Sequence, residues 1–321
     1  MNFSLTPRFN PRSYWKSLFM GLISTTMGIA SAQTTSFPSG TINIVVGFPP
    51  GGSNDVIART LAPKLGDILG VNVVVENKAG ANGAIGTAYT VNAKPDGQTI
   101  TLGSTSVFSI GPHTSPRLPY KLTDLTAVNT VAMTASMIAV NASVPAKTIQ
   151  DLIDLSKKRQ VSLASSGAGG ISHLNIEFIK LQAGADFLHV AYKGATPAIT
   201  DVIGGQVDGI IMDYSALAGM MAQGRIRAIA SSKAVAGVEA SPMVISPWYG
   251  VMAPAKTPKS TLKILFAALN KASSDPEIRA KFEKLGVDAF NFPSPEEADA
   301  YIRADSERWS AVVKDSGLKF E

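Results

Sequence analysis

Two glycine-rich segments of the 321-residue chain carry residue types that could bind a small anion. Residues 50–55 (Pro-Gly-Gly-Ser-Asn-Asp) and residues 165–173 each run from a predicted strand into a predicted helix. Glycines let backbone N–H groups approach a ligand, Ser53 or Asn54 can cap a helix or donate a side-chain bond, and the helix N-terminus adds partial positive charge. A single loop of this kind is more often an ordinary tight turn than an anion site. A second loop of the same kind, about 115 residues further on, makes the two interpretations nearly equal.

Neither loop contains a lysine or an arginine, so an anion would be held by N–H groups, hydroxyls and water. One helix end contributes roughly 0.3–1 kcal/mol, and a hydrogen bond to a charged group roughly 1.5–3 kcal/mol. Micromolar affinity needs about 8 kcal/mol after the costs of association. A single loop is therefore marginal, whereas two lobes that close on one ligand would provide a route to that range.

The usual sequence signatures of enzymes do not occur in the chain. There is no G-x-S-x-G elbow, no P-loop and no H-E-x-x-H, and residues 167–170 lack the G-x-G-x-x-G spacing of a dinucleotide turn. Zero cysteine excludes disulfides, cysteine nucleophiles, thiolate zinc sites and iron–sulfur clusters. Because three histidines are few for metal or triad chemistry, we predict no catalytic residue, no metal and no cofactor.

Four titratable side chains nevertheless need an interpretation of their own. Asp55 could be a catalytic carboxylate, but a first-turn aspartate that stabilises its helix is favoured. His173 could contact a ligand or cap a helix. His189, in an apolar strand, is predicted to be a satisfied core or cleft-edge residue, and His113, after Gly-Pro in a turn, a surface residue.

The elements that must position the two loops alternate between β-type runs and helical stretches, which predicts an α/β architecture. In the first helix Ile57, Leu61, Leu65 and Ile68 share one face, and Pro63 should bend or divide it. Residues 125–142 could be strands that pass from one domain to another. Strands are predicted at 41–46, 71–76, 98–103, 160–164, 187–191, 207–212, 225–231 and 248–253. Helices are predicted at 54–69, 147–156 (capped by Thr148), 174–183, 195–203, 276–285 and 294–315.

The composition suits an exported protein of two domains. Of the formal charge of +5, three units lie in residues 1–32, which have a basic start, a short apolar run and a small-x-small end. These are the parts of a signal peptide, and we expect cleavage after Ala32. The remaining 289 residues carry a charge of +2 with scattered basic side chains, which does not favour nucleic acid as a partner.

Several motifs, in order over essentially the whole mature chain, resemble the Bug proteins, the periplasmic solute-binding proteins of the tripartite tricarboxylate transporter type. The motifs that carry the resemblance are residues 48–59, 76–86, 94–99, 166–173, 190–194, 204–208, 224–230 and 248–254. The resemblance implies an α/β fold of the two-domain periplasmic-binding-protein type II, or Venus flytrap, with a ligand cleft between the lobes. It also implies a small carboxylated ligand and delivery to membrane permease subunits.

In that family two loops, one per lobe, hold a carboxylate through backbone groups, hydroxyls and ordered water. Carried over to this sequence, the first lobe would contribute Phe48, Pro50, Gly51, Gly52, Ser53, Asn54, Asp55, Ser104, Thr105 and Ser106. The second lobe would contribute Ser166, Gly167, Gly169, Gly170, Ser172, His173, Tyr192, Lys193 and Asp213. An aliphatic dicarboxylate, an amino acid and an aromatic acid all remain possible ligands.

The resemblance divides the chain into a signal peptide (1–32), a first lobe (33–139), a second lobe (140–246) and a return to the first lobe with C-terminal helices (247–321). Residues 232–247 depart from the family pattern, which leaves the cleft rim on that side open. We predict a monomeric binding protein in the periplasm. A periplasmic enzyme that uses Asp55 or His173, and a sensor that docks to a signalling partner, are the alternatives.

Overall fold

The computed structural model describes Met1 and residues 37–115, 117–235 and 237–315. Apart from Met1, the predicted signal peptide lies outside these ranges. Two mixed sheets with helices packed on them confirm the predicted α/β class. Within the described ranges, no helix is long and apolar enough to cross a bilayer.

The first sheet combines strands from the beginning, middle and end of the chain. Its strands are β1 (Ile42–Val46), β2 (Val73–Asn77), β3 (Thr99–Ser104), β4 (Leu125–Thr134), β10 (Trp248–Pro254) and β11 (Val287–Ala289). They lie in the order β11-β4-β10-β3-β1-β2. β1 is parallel to β2 and β3, whereas β10 is antiparallel to β3 and β4. The carboxyl ends of β1 and β3 therefore meet at one edge, where the first loop begins.

The second sheet is built from one continuous stretch of sequence. It contains β5 (Ser136–Asn141), β6 (Val161–Ser165), β7 (Phe187–Ala191), β8 (Gly209–Asp213) and β9 (Ile226–Ser231), in the order β7-β6-β8-β5-β9. β6 is parallel to β7 and β8, and β5 is antiparallel to β8 and β9. The second glycine loop follows β6, so it leaves its sheet as the first loop leaves β1. We call each sheet with its helices a lobe.

The chain crosses between the lobes at two places. Ala135 alone separates β4 from β5, which confirms that residues 125–142 pass from one sheet to the other. The return runs through residues 232–247 to β10, the predicted return strand. Hydrogen bonds tie this return segment to the second lobe: Ser232 Oγ accepts from the Ser136 N–H of β5 at 2.9 Å, and Asn175 Oδ1 accepts from the Ile245 N–H at 2.8 Å.

The helices agree with most of the predicted spans. They are α1 (Ser53–Leu69), α2 (Ala84–Val91), α3 (Gly111–Thr114), α4 (Ile149–Ser156), α5 (Ile171–Ala183), α6 (Ala195–Ile203), α7 (Tyr214–Ala222), α8 (Lys259–Ser273), α9 (Pro276–Lys284) and α10 (Pro295–Asp315). Thr148 caps α4 by accepting a hydrogen bond from the Asp151 N–H, as predicted. The sequence reading missed α7, whose small and apolar residues give little helical periodicity.

The core of the first lobe explains why α1 lies beside its loop. Ile57, Leu61 and Leu65 are buried in one cluster with the inward-facing residues of β1, as the periodicity predicted. Pro63 does not divide the helix, which continues unbroken to Leu69. Pro63 is exposed, so water can satisfy the carbonyl that a proline N–H cannot.

A separate apolar cluster joins the two lobes. Ile171 and Leu174 of α5 in the second lobe lie in one buried group with Trp309 and Val313 of α10 and with Ile110. The C-terminal helix therefore packs against the helix that follows the second glycine loop.

Candidate functional site

The first loop turns sharply between β1 and α1. Gly51 takes a left-handed conformation (φ 87°), and Gly52 is the N-cap with an extended backbone (φ −82°, ψ 168°). Ser53 and Asn54 are thus the first two helical residues, and the prediction that one of them caps the helix is wrong, because a cap must precede the first helical residue. Asp55 Oδ2 instead accepts a hydrogen bond from the Gly51 N–H at 3.0 Å.

A charged network fixes this loop from behind. Arg59 Nε donates to Asp55 Oδ1 at 2.9 Å, and Asn77 Nδ2 donates to the same oxygen at 2.9 Å and to the Phe48 carbonyl at 3.0 Å. Burial would raise the pKa of Asp55, but the hydrogen bonds from Arg59, Gly51 and Asn77 outweigh it and hold that pKa below its ordinary value. Asp55 is therefore an ionised structural residue of the first turn.

The second loop connects β6 to α5 and is fixed mainly by hydroxyls and imidazoles. Ser172 Oγ accepts from the Ser166 N–H at 3.3 Å, and His173 Nδ1 accepts from the Gly169 N–H at 2.9 Å. Gly170 is the N-cap of α5 and has no side chain to offer, so the bond to His173 fixes the turn. His173 is the third residue of α5, so it is not the cap of that helix, and its ligand contact stays a prediction.

His173 and His189 stack behind this loop with ring centroids 3.7 Å apart and planes inclined by 10°. His189 Nε2 lies 2.6 Å from Ser165 Oγ, which confirms the prediction that His189 is hydrogen-bonded. The residue is half-buried and does not line the cavity. Burial, together with the proximity of His173, lowers the pKa of His189 to about 4. The stack is therefore neutral at His189 at physiological pH, and Glu177 lies on the other side of His173, with Oε1 3.7 Å from Nε2.

A cavity lies between the two loops. Its volume is about 40 Å³, measured as the space in which the centre of a water molecule fits. This is room for a few water-sized groups. The lining residues are Phe48, Pro49, Gly52, Ser53, Asn54, Ser104, Ser106, Ser166, Ile171, Ser172, Ala195, Met212, Asp213 and Tyr249. Within the described part of the chain, no lysine or arginine lines it.

Hydrogen bonds from lobe to lobe close the cavity. Ser215 Oγ donates to Ser53 Oγ at 2.9 Å, and the Ile171 N–H donates to Ser106 Oγ at 2.9 Å. Thr196 Oγ1 donates to the Pro50 carbonyl at 3.2 Å. The structure is thus a closed form in which each glycine loop contacts the opposite lobe.

Asp213, at the end of β8, contributes a carboxyl group to the cavity wall. The Tyr249 hydroxyl of the first lobe donates to Asp213 Oδ2. Burial raises the pKa of Asp213 to about 7, although the hydrogen bond from Ser53 acts in the opposite direction. The cavity wall therefore contains a carboxyl group that changes from neutral to charged near neutral pH.

The structure brings nine of the sequence-predicted residues together in the cavity wall: Phe48, Gly52, Ser53, Asn54, Ser104, Ser106, Ser166, Ser172 and Asp213. Six others lie in the two loops or in the first turn of α1 and do not line the cavity: Pro50, Gly51, Asp55, Gly167, Gly169 and Gly170. His173 supports the second loop, and Thr105 Oγ1 accepts from the Trp248 N–H at 3.0 Å. Tyr192 donates to Asp201 at 2.7 Å, and Lys193 is exposed.

Sequence reasoning missed five residues of the wall: Pro49, Ile171, Ala195, Met212 and Tyr249. Tyr249 lies in a strand that was predicted, but an inward-facing tyrosine in an apolar strand carries no local sign that its hydroxyl reaches another lobe. His113 is half-buried, with Nε2 2.9 Å from Ser306 Oγ, so the predicted surface position is wrong.

Two α/β lobes that enclose a small cavity between paired glycine loops define a two-lobed solute-binding protein. Residues 57–318 match the family model of the tripartite tricarboxylate transporter family receptor, TctC. The chain belongs to this family, which confirms the resemblance drawn from the motifs. The family consists of solute-binding receptors, so the chain is a binding protein and not an enzyme.

Individual relatives agree with this assignment. BugT of Bordetella pertussis is 34% identical over 318 residues, which cover 94% of this chain and 97% of that protein. The solved structure of the periplasmic binding protein BugD is 29% identical, with a TM-score of 0.83, and the match covers 89% of this chain and 100% of BugD. Rpa4515 of R. palustris, solved with adipate, is 25% identical with a TM-score of 0.85 over the same shares of the two chains.

Proposed function

We propose that the receptor binds a small organic carboxylate between its lobes and delivers it to the permease of a tripartite transporter. The observation that carries the proposal is the cavity wall, in which both glycine loops present hydroxyls and backbone groups without a cation. Such a site suits a carboxylate held by many hydrogen bonds rather than by one ion pair. The adipate bound to Rpa4515 supports the same chemistry.

The walls of the cavity suggest how the rest of the ligand is held. Phe48, Ile171, Ala195 and Met212 offer apolar surface between the two polar loops. This arrangement suits a short carbon skeleton whose carboxylate lies at the loops. Aliphatic dicarboxylates, amino acids and aromatic acids remain the ligand classes to test, and the small volume of the closed cavity favours the smaller of them.

Calorimetric titration of the purified mature chain tests the ligand class. We expect at least one mono-, di- or aromatic carboxylate to bind with a micromolar or lower Kd, and the matching amide to bind far more weakly. Binding of a non-carboxylate ligand, with none of the carboxylates bound, would overturn the proposal.

Export and delivery need separate experiments. We propose cleavage after Ala32, so intact-mass analysis of periplasmic protein should give a chain that begins at Gln33. Deletion of the receptor should abolish uptake of the labelled ligand, and a loss of signalling with intact uptake would favour the sensor alternative. We also propose a monomer, which light scattering of the mature chain tests.

The division of the chain into lobes at residues 139 and 246 remains part of the proposal. A first boundary near this point is supported by the strands, because β4 of one sheet ends at Thr134 and β5 of the other begins at Ser136, a few residues before 139. The described residues of this segment, 232–235 and 237–247, do not line the cavity. We therefore expect residues 232–247, which depart from the family pattern, to affect the movement between the lobes rather than the contacts with the ligand.

A further inference from the structure

Asn82 lies in a turn of the first lobe whose backbone is unusual. Ala81 and Asn82 both take left-handed conformations (φ 47° and 50°), between Gly80 and Gly83, which also have positive φ. An L-residue in this region costs roughly 1–2 kcal/mol, so two in succession require support from their surroundings. Asparagine tolerates the conformation better than most side chains, but its side chain must still be explained.

The carboxamide of Asn82 reaches the second glycine loop. A Cβ atom placed on Gly167 would lie 3.3 Å from Asn82 Oδ1, and its three nearest neighbours would all be atoms of Asn82. A Cβ atom placed on Gly170 would lie 3.1 Å from the same oxygen. Asn82 therefore fills the space that side chains at both positions would occupy.

Neither glycine is required by its own backbone. Gly170 is extended (φ −92°, ψ 176°), and Gly167 is not among the glycines with positive φ. Any L-residue can adopt such conformations. Glycine is needed at 167 and 170 because it has no side chain. The side chain that occupies the free space, that of Asn82, belongs to the opposite lobe.

Hydrogen bonding does not explain the contact. Oδ1 and Nδ2 of Asn82 are both inaccessible to solvent and have no hydrogen-bond partner in the described structure. Burying an unpaired polar group costs about 1–3 kcal/mol, so this side chain is not held in place by polar attraction. The contact between Asn82 and the two glycines is therefore a van der Waals contact, and it exists only when the two lobes are closed.

We propose that Asn82 is a positioning residue for lobe closure. Gly167 and Gly170, which lack side chains, form the surface against which the Asn82 side chain packs when the lobes close, and we call this surface the seat. The inference rests on the proposed function, because it assigns to Asn82 control of ligand affinity through closure and without ligand contact. A side chain at Gly167 would hold the lobes apart, whereas removal of the Asn82 side chain would make room for it.

A double-mutant cycle tests the seat. Gly167→Val is expected to weaken carboxylate binding about tenfold or more, since the branched side chain meets Asn82. Asn82→Gly, which suits the left-handed backbone, is expected to restore affinity to within about threefold when combined with Gly167→Val. The matched control is Ala168→Val, an exposed neighbour in the same loop, which should leave affinity unchanged.

Distances between the lobes separate closure from ligand contact. The chain has no cysteine, so spin labels on Lys157→Cys and Lys263→Cys, exposed positions on the two lobes, report the separation without background. Gly167→Val should shift the distance distribution toward the open form, with and without ligand, and the double variant should shift it back. The thermal midpoint should not fall in either single variant, which separates a change in closure from a loss of stability.

Three outcomes decide the matter. Equal closure and affinity in wild type and Gly167→Val would overturn the inference, as would loss of affinity that Asn82→Gly does not restore. Failure of every carboxylate to bind wild type would instead overturn the proposed function. In that case the distances of the unliganded variants still test the seat.

Discussion

The two glycine loops present similar backbone geometry to the cavity but are supported in opposite ways. Behind the first loop, Asp55, Arg59 and Asn77 form a charged network, whereas His173, His189 and Ser165 support the second loop through stacked imidazole rings and a hydroxyl. In both cases the support lies behind the wall, so the cavity itself stays free of cations. The comparison teaches that side chains outside the cavity wall fix the shape of both loops, through an ion pair behind one and through stacked imidazoles and a hydroxyl behind the other.

The largest effect should come from removing the charge behind the first loop. Asp55→Asn removes the buried charge that accepts hydrogen bonds from the Gly51 N–H and from Arg59, both of which are exposed and can turn to water. We expect a loss of about 2 kcal/mol in the free energy of unfolding. Denaturant unfolding at pH 7.5 measures it. Asp154→Asn, whose exposed carboxylate is 3.9 Å from Lys157 Nζ, is the control and should change stability little. Equal stability of Asp55→Asn and wild type would remove the distinction between the loops.

The carboxyl group between the loops should make ligand binding depend on pH. Because burial raises the pKa of Asp213 to about 7, the group is neutral below that pH and repels an anionic ligand above it. We expect affinity to fall by up to about tenfold per pH unit above pH 7, and Asp213→Asn to flatten the profile. Titrations from pH 6 to pH 8.5 measure this, and an unchanged profile in Asp213→Asn would assign the dependence elsewhere.

The hydroxyls of the two loops should differ in what they do. Ser53 bonds to Ser215 of the other lobe, whereas Ser172 bonds within its own loop. Both Ser53→Ala and Ser172→Ala should weaken carboxylate binding about five- to tenfold, a loss of about 1 kcal/mol. Closure without ligand should decrease in Ser53→Ala alone. Ser143→Ala, at an exposed position, is the control, and identical closure in the two loop variants would contradict the comparison.

The smallest effect concerns the histidine stack. The pKa of His189 is lowered to about 4 in the folded state, so between the ordinary value near 6.5 and pH 4 the unfolded chain binds more protons. Stability should therefore fall as the pH decreases through this window. His189→Leu should reduce the decrease in Tm between pH 7 and pH 5, although it loses the bond to Ser165. A slope equal to that of wild type would show that other groups control the acid response.

Local signals in the sequence predicted much of the fold. β7 and α6 begin and end at the predicted residues, because Gly194 and Gly204–Gly205 mark sharp breaks and the patterns between them are clear. α7 was missed since its residues give no periodic pattern, and the three-residue β11 is too short to show one. Both loops were located because glycines and hydroxyl residues cluster where a strand ends.

The site was harder to predict where it depends on distant contacts. Tyr249 bonds to Asp213, a residue 36 positions earlier, and Asn82 packs against Gly167 and Gly170 of the other lobe. No spacing within the sequence encodes these neighbours. The glycines at 167 and 170 were taken as aids to ligand approach, whereas the structure shows a side chain of the other lobe against them.

The position of β10 has a consequence for the order of folding. The second sheet is encoded without interruption from Ser136 to Ser231, whereas the first needs β10 inserted between β3 and β4. Contacts of high sequence separation form slowly. We therefore expect the second lobe to become protected from hydrogen exchange first during refolding. Competence to bind ligand should appear only when the late strand completes the sheet that carries the first loop.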